Sequence, residues 1–116
     1  MSDVIQLLGK VLDGAALRQR VLAHNLANLN TPGYTRQDVE FRQILADAVK
    51  SKSETALAQA SPRVQEDTTA PVRPDGNNVS LQTELGYIAG NGLLYDFATR
   101  ATTAQYRMLL SAIRGR

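Results

Sequence analysis

Side chains that could carry out catalysis are sparse and isolated in this sequence. His24 is the single histidine, it has no serine or cysteine partner arranged beside it, and the chain has no cysteine. The acidic residues are scattered, and none forms a pair suited to acid–base chemistry. Gly90-Asn91-Gly92 lies inside a helical pattern rather than after a strand, which argues against a phosphate loop. The sequence therefore predicts a protein that is not an enzyme, with no catalytic, cofactor-binding or metal site.

Charge and hydropathy narrow the possible partners. The 13 basic and 11 acidic residues give a net charge of +2, and no basic run forms a patch for nucleic acid. No apolar stretch approaches the roughly 20 residues that span a bilayer. Asp3 and Lys10 interrupt the N-terminal apolar residues, so no cleaved signal peptide is expected. Composition alone predicts a cytoplasmic protein that binds neither nucleic acid nor a small-molecule substrate.

The most unusual stretch is residues 23–34, where three asparagines crowd the end of an apolar helix. Pro32 disfavours helical backbone at the residue before it, so the helix must stop near Asn30. A helix stop explains Asn30 but not Asn25 and Asn28, because asparagine is a poor helix former. Buried asparagines set the register between helices in coiled coils. We therefore expect this stretch to contact neighbouring helices, and Asn28 to bond across a subunit boundary.

Two long helices position this stretch. The first, within residues 1–34, has a seam spaced by three and four residues: Ile5, Leu8, Leu12, Ala15, Gln19, Leu22, Leu26 and Leu29. The last, within residues 79–116, has a similar seam: Leu81, Leu85, Ile88, Gly92, Tyr95, Thr99, Thr102, Tyr106, Leu109 and Ile113. A second line beside it consists of Leu94, Ala98, Ala101, Gln105, Met108 and Ala112. Two seams on one helix indicate contact with more than one neighbour.

The segment between the helices is polar. Within residues 35–50 the pattern predicts a short helix capped by Asp38. Residues 51–78 are predicted to be a polar linker, either disordered or with short extended pieces around residues 63–65 and 70–73. The fold class is therefore all-α and elongated, with terminal helices that pair as a coiled coil. Two helices alone leave much apolar surface exposed, so we expect assembly to complete the fold.

A family resemblance sharpens this hypothesis. Residues 23–34 resemble the N-terminal signature of flagellar rod, hook and hook-associated proteins, in which a helix ends in an "ANNLANANTPGY"-like run. His24 stands where Asn is common, and Leu29 where Ala is common. Residues 36–41 resemble the "ARDVDF"-like continuation of the proximal rod family, and residues 75–79 resemble its "DGNNV" block. These blocks select the proximal rod family within the flagellar rod and hook superfamily.

The resemblance implies a structural subunit that polymerises through its terminal helices into the part of the drive shaft that crosses the periplasm. It implies contacts with copies of itself, other flagellar rod proteins, the MS-ring protein and its rod adaptor, and the flagellar type III export gate. Export without a cleaved signal peptide would then replace the cytoplasmic localisation. Phe41 and Leu45 resemble an export-gate motif, although any amphipathic helix shows such a pair. The alternative is a soluble two-helix coiled-coil adaptor that binds a single helical partner.

The residues expected to mediate assembly come from the asparagine-rich stretch, the 75–79 block and the two seams. They are Leu22, Asn25, Leu26, Asn28, Asn30, Thr31, Pro32, Gly33, Tyr34, Asp75, Gly76, Asn77, Asn78, Val79, Leu85, Ile88, Tyr95, Tyr106 and Leu109.

Overall fold

The computed structural model describes residues 2–115 and is elongated, with extents of 64 × 27 × 15 Å. Its elements in chain order are α1 (Ser2–Ala27), β1 (Gln37–Glu40), α2 (Arg42–Lys50), α3 (Glu54–Gln59), β2 (Arg63–Glu66) and α4 (Leu81–Arg114). The chain is mostly helical, as predicted, and a long helix lies near each end. Over residues 2–115, no helix is both long enough and apolar enough to cross a membrane.

Helices α1 and α4 lie side by side and run antiparallel. Asn25 near the end of α1 bonds to Glu84 at the start of α4, whereas the Ala15 carbonyl accepts a bond from Asn91 further along. The α1 seam is confirmed at its centre, because Ala15 and Leu22 are fully buried. This pairing forms the long axis of the molecule.

The buried face of α4 differs from the predicted seam. Glu84, Asn91 and Ala98 are the buried residues of α4. In contrast, Leu85, Tyr95 and Tyr106 from the predicted seam are 50%, 44% and 50% exposed. Within the chain, α4 therefore turns a mainly polar and small-residue face inward. Leu94 packs against the core and Ile88 and Leu109 are half-buried, but most other large apolar side chains of α4 lie outside.

A two-stranded antiparallel sheet corrects the all-α prediction. Strand β1 pairs with β2, and Val39 lies opposite Val64. Asp38 therefore lies in a strand and does not cap a helix, and α2 begins after Phe41. The extended form is stabilised because Val39 enters the core, while Asp38 is paired with Arg18 at 2.8 Å.

A small apolar core joins α1 to the middle of the chain. Its buried members are Val21, Val39, Phe41, Leu45, Ala48, Leu57 and Ala60. The predicted linker thus contributes a helix, a strand and two core residues. Gly14 makes room for the Phe41 ring, because a Cβ at that glycine would lie 2.6 Å from two ring carbons. Lys10 links α1 to the C-terminal end of α3, where its ammonium group donates to the carbonyls of Ala58 and Ala60 at 2.8 Å.

Candidate functional site

The candidate site is a cluster of buried and half-buried polar side chains where the end of α1, residues 28–38, residues 67–79 and the start of α4 meet. We call this cluster the polar junction. Its members are Asn25, Tyr34, Arg36, Asp38, Asp67, Asn77, Asn78 and Glu84. Their hydrogen bonds join segments that lie far apart in the chain, so the junction determines how α1 leads into the rest of the molecule.

Asn77 binds the turn that follows α1. Its side-chain nitrogen donates to the carbonyl oxygens of Asn28, Leu29 and Thr31 at 2.9, 3.2 and 2.8 Å. Its side-chain oxygen accepts from the backbone N–H of Val79 at 2.7 Å. These carbonyls lie just beyond the end of α1 at Ala27, and the buried amide satisfies backbone groups of the turn that would otherwise need water. The Arg73 guanidinium also donates to the Leu29 carbonyl.

Two glycines allow the loops of the junction to touch. Gly33 and Gly76 both have positive φ, at 75° and 86°, where glycine is favoured. The Gly33 N–H donates to the Asp75 carbonyl at 2.9 Å, and a Cβ on Gly76 would lie 3.2 Å from the Gly33 Cα. Residues 73–76 form a turn, in which the Gly76 N–H donates to the Arg73 carbonyl at 2.9 Å. The Asn-rich stretch and the 75–79 block therefore form one structural unit.

Asn25 lies on the side of α1 that faces β1 and α4, and it is fully buried. Its side-chain nitrogen donates to the Gln37 carbonyl at 2.7 Å and to Glu84 Oε2 at 3.2 Å. Its side-chain oxygen accepts from the Tyr34 hydroxyl and the Gln37 N–H, both at 2.9 Å. All four bonding positions of the amide are thus used. This explains an asparagine inside a helix, where it is a poor helix former.

Asn78 joins the 75–79 block to the segment that leads into β1. Its side-chain oxygen accepts from the Arg36 N–H at 2.6 Å, and its side-chain nitrogen donates to the Asp67 carbonyl at 2.7 Å. The two asparagines of the block therefore have separate partners, since Asn77 binds the end of α1.

Arg36 and Glu84 form a buried ion pair at the centre of the junction. Arg36 Nε donates to Glu84 Oε1 at 2.6 Å, and Arg36 Nη1 donates to Asp67 Oδ2 at 2.7 Å. Arg36 is 2% exposed and Glu84 is fully buried. Burial alone lowers the pKa of Arg36, but hydrogen bonds to Glu84 and Asp67 outweigh it and raise the pKa above its ordinary value. Because removing one partner leaves a buried charge, this pair strongly restricts which arrangement of α4 is stable.

The surrounding carboxylates are held ionised. Hydrogen bonds from the Thr69 hydroxyl and backbone N–H, with the nearby Arg36, lower the pKa of Asp67 to about 2 despite partial burial. Burial raises the pKa of Asp38, but bonds from Arg18 and the Val39 N–H reverse this and lower it. Burial and the charge of Glu84 raise the pKa of Tyr34. These carboxylates serve as counter-ions, so the arrangement stabilises charge and is poorly suited to proton transfer.

The Tyr87 ring covers the outer side of the ion pairs. The guanidinium carbons of Arg18 and Arg36 each lie 5.1 Å from its centroid, a distance at which a cation is attracted by an aromatic face. Tyr87 thereby links the first turns of α4 to α1 and to the residue before β1.

The other residues of the asparagine-rich stretch lie at the tip of the junction. Asn28 donates to the His24 carbonyl at 2.9 Å and accepts from the Thr31 hydroxyl at 3.1 Å, so these bonds are made within the chain. Asn30, Thr31, Pro32 and Gly33 are exposed. These bonds fit a helix stop, and a contact of this tip with another subunit stays a prediction.

Phe41 and Leu45 are 4% and 7% exposed and belong to the core cluster. The pair is therefore accessible to a receptor only when α2 has separated from α1. Its role as an export-gate motif stays a prediction.

Sequence reasoning missed the charged half of the junction. Arg36, Asp67 and Glu84 were not singled out, although each is essential to the network described above. A signal was present for Glu84, because it continues a spacing of three and four with Ile88 and Asn91. That line contains polar residues, so apolar spacing predicts a different buried face for α4. Among residues 2–115, no group of three His, Cys, Asp or Glu side chains is placed to hold a metal ion.

Comparison with known proteins shows the family to which the chain belongs. A family model described as "Flagella basal body rod protein" matches residues 12–35, which cover most of α1 and the tip of the junction. The flagellar basal body rod protein FlgB of Salmonella typhimurium is 30% identical, over 91% of this chain and 89% of the relative. FlgB of Aeromonas hydrophila is 30% identical over 84% and 83%, and FlgB of Bacillus subtilis is 26% identical over 98% and 95%. The chain belongs to the FlgB family of flagellar basal body rod proteins.

Proposed function

We propose that this chain is a structural subunit of the flagellar proximal rod and polymerises through its terminal helices. Its copies would form part of the drive shaft that crosses the periplasm, with α1 and α4 paired as a coiled coil. It would contact copies of itself, other rod proteins, and the MS-ring protein with its rod adaptor. It would leave the cell interior through the flagellar type III export gate, without a cleaved signal peptide.

The observation that carries this proposal is the apolar surface that α4 leaves uncovered. Leu93, Phe97 and Ile113 are 73%, 67% and 73% exposed. Other large apolar side chains of α4 are also exposed, namely Leu81, Leu85, Tyr95, Tyr106, Met108 and Leu110. Exposed apolar surface on this scale marks an interaction site rather than a stable free surface. This exposed apolar surface is explained if neighbouring subunits cover α4 on several sides.

The polar junction supports the same proposal from the other direction. A subunit of a shaft must keep a constant geometry under load, and the junction links α1, β1 and α4 through buried ion pairs and amides. These contacts use directional bonds and leave the apolar side chains of α4 free for other subunits. The junction would set the shape of the subunit, and the outer helix faces would make the shaft.

The test is to delete the chain's gene in its own bacterium and to complement it with a tagged copy. The proposal expects non-motile cells without completed rods after deletion, and the tagged chain in purified basal bodies after complementation. Motile cells with intact rods in the deletion strain would contradict it. Recovery of the tagged chain only as a soluble complex of fixed stoichiometry with one helical partner would favour the adaptor alternative.

A further inference from the structure

One face of α4 that points away from α1 carries only apolar or small residues. Its members are Gly86, Gly90, Leu93, Phe97, Ala101, Ala104 and Met108, and we call them the α4 stripe. Leu93, Phe97 and Met108 are 73%, 67% and 50% exposed. The pattern repeats after 11 residues, a period that keeps it on one side of a nearly straight helix. At 100° per residue, the stripe lies about 120° around α4 from the buried Asn91 and Ala98.

The glycines of the stripe have no role inside the chain. No atom lies within 4 Å of the position that a Cβ would take at Gly86 or Gly90. Each glycine costs about 1 kcal/mol relative to alanine in a helix. Contacts within the chain do not explain this cost, whereas the close approach of another helix does.

A matching stripe lies on α1. Its members are Ile5, Gly9, Leu12, Ala16, Arg20, Ala23 and Ala27, and we call them the α1 stripe. It is half-buried at the N-terminal end and exposed from Arg20 onward. Gly9 is again open, with nothing within 4 Å of its Cβ position. The spacing along this stripe is identical to that along the α4 stripe.

The two stripes fit each other when the helices run antiparallel. The opposing pairs are Ile5 and Met108, Gly9 and Ala104, Leu12 and Ala101, Ala16 and Phe97, Arg20 and Leu93, Ala23 and Gly90, and Ala27 and Gly86. The large Phe97 meets the small Ala16, and Leu12 meets Ala101. Arg20 is the one charged member, and its aliphatic stem can cover Leu93 while its head stays in water. The contact spans about 33 Å at 1.5 Å per residue.

One chain cannot make this contact with itself. The α1 stripe lies about 110° around α1 from the buried Ala15 and Leu22. Because α1 and α4 run antiparallel, this rotation places the two stripes on opposite sides of the helix pair. At its N-terminal end, Ile5 of the α1 stripe lines an open groove of 770 Å³, together with Asp3 and Gln6 of α1, residues of α3, and Tyr106 and Leu109. The groove can receive the C-terminal half of a helix from a second chain.

We infer that the α4 stripe of one copy binds the α1 stripe of a second copy, and that this repeated contact joins neighbouring subunits. The contact joins two different surfaces, so the first copy keeps a free α1 stripe and the second copy keeps a free α4 stripe. Further copies can bind these free stripes, and the contact therefore continues from copy to copy. Within a chain, Asn91 bonds to Gln19 and Asn25 bonds to Glu84. In the stripe pairing, α1 of the second copy is shifted along α4 by about four residues relative to α1 of the same chain. Two parallel neighbouring copies are therefore offset along the helix axis by about 6 Å. The inference rests on the proposed function, because it names the partner surface of the polymer.

Disulfide crosslinking in assembled rods tests this contact, and the chain has no native cysteine to interfere. Cells lacking the native gene would produce Ala16→Cys and Phe97→Cys together, each with a different tag, or either variant alone. Basal bodies would be purified and oxidised, because a disulfide forms only when two Cβ atoms come within about 4 Å. Thr103→Cys, on another exposed side of α4, replaces Phe97→Cys in the matched control.

We expect a shift from monomer to mixed-tag dimer in the Ala16→Cys with Phe97→Cys sample, and no shift in the single-variant or Thr103→Cys samples. A dimer of Phe97→Cys alone would overturn the inference in favour of a symmetric α4 contact. Rods that contain both variants but give no mixed dimer would overturn it and leave the proposed function standing. If the unsubstituted chain is absent from basal bodies, the proposed function fails and the inference fails with it.

Discussion

The polar junction and the outer face of α4 reverse the usual distribution of side chains. In the junction, Arg36, Glu84 and Asn77 are at most 2% exposed, and each is bonded to other parts of the chain. On α4, Leu93 and Phe97 are more than two-thirds exposed. A monomer would gain from the opposite arrangement, because apolar burial is the main favourable contribution to folding. Under the proposed function, this reversal assigns the shape of the chain and its assembly to different residues.

This comparison separates two kinds of mutation. Changes in the junction should destabilise the isolated chain, because they leave buried polar groups without partners. Changes in the α4 stripe should leave the isolated chain stable and act only on assembly. The following predictions run from the largest expected loss of stability to the smallest.

Glu84→Ala should cause the largest loss. It leaves the buried Arg36 with only its two aspartate partners and also removes a partner of Asn25. Breaking a buried ion pair costs about 3 kcal/mol or more. Denaturant unfolding followed by circular dichroism measures the change. Asp96→Ala is the matched control, because its pair with Arg100 lies on the exposed surface of the same helix and such pairs contribute little. Equal losses in the two variants would contradict a special role for the junction.

Asn77→Ala should follow, because it removes the amide that binds the turn after α1. The unpaired carbonyls and the lost bond to Val79 should cost about 2 kcal/mol, within the range for unsatisfied buried groups. Hydrogen exchange should locate the loss in the last turn of α1 and in residues 28–34. Unchanged protection there would show that Arg73 alone holds this end of the helix.

Acid should weaken the junction before it affects the helix pair. The pKa of Asp67 is about 2 in the folded chain against an ordinary value of 3.8, and the pKa of Asp38 is also lowered. A lowered pKa stabilises the fold above the unfolded value, and that stability is lost as the pH falls through the folded value. Stability should therefore decline between about pH 4 and about pH 2. Asp67→Asn should be less stable near neutral pH and should show a shallower decline. Parallel profiles would exclude Asp67 as a source of the pH dependence.

Asn28→Ala should have a small effect on the isolated chain, about 1 kcal/mol or less, because its two bonds are local and partly open to water. If Asn28 also bonds across a subunit boundary, the variant should be secreted normally yet give fewer completed basal bodies. Secreted subunit and basal bodies should be counted in the same strain. Normal numbers of basal bodies would leave Asn28 as part of a helix stop alone.

Local signals in the sequence predicted the frame of the molecule. Pro32 predicted the end of α1 to within a few residues, near Asn30 against the observed Ala27. The last helix was predicted within residues 79–116, and the Ser80 hydroxyl caps its start by accepting from the Thr83 N–H at 3.4 Å. The α1 seam was found because its centre is apolar and also buried within the chain. These features depend on neighbouring residues, which one sequence displays directly.

Features that depend on distant residues were missed. The face of α4 that packs on α1 contains Glu84 and Asn91, so a search for apolar spacing selected a different face. Strand β1 and helix α3 were missed because their pairing partners, β2 and the core around Phe41, are far along the chain. A sequence of this type shows which helix faces are apolar, but it does not show whether the chain itself or its neighbours cover them.

The central claim is that the α4 stripe is required for assembly and dispensable for the fold of one chain. Phe97→Asp tests it most directly, because Phe97 is 67% exposed and lies at the middle of the stripe. We predict a free energy of unfolding within about 0.5 kcal/mol of the unsubstituted chain, as for exposed substitutions elsewhere. We also predict normal secretion with few or no completed rods in complemented cells. Thr103→Asp, equally placed on α4 but outside the stripe, should leave rods intact. Normal rods with Phe97→Asp would contradict the account.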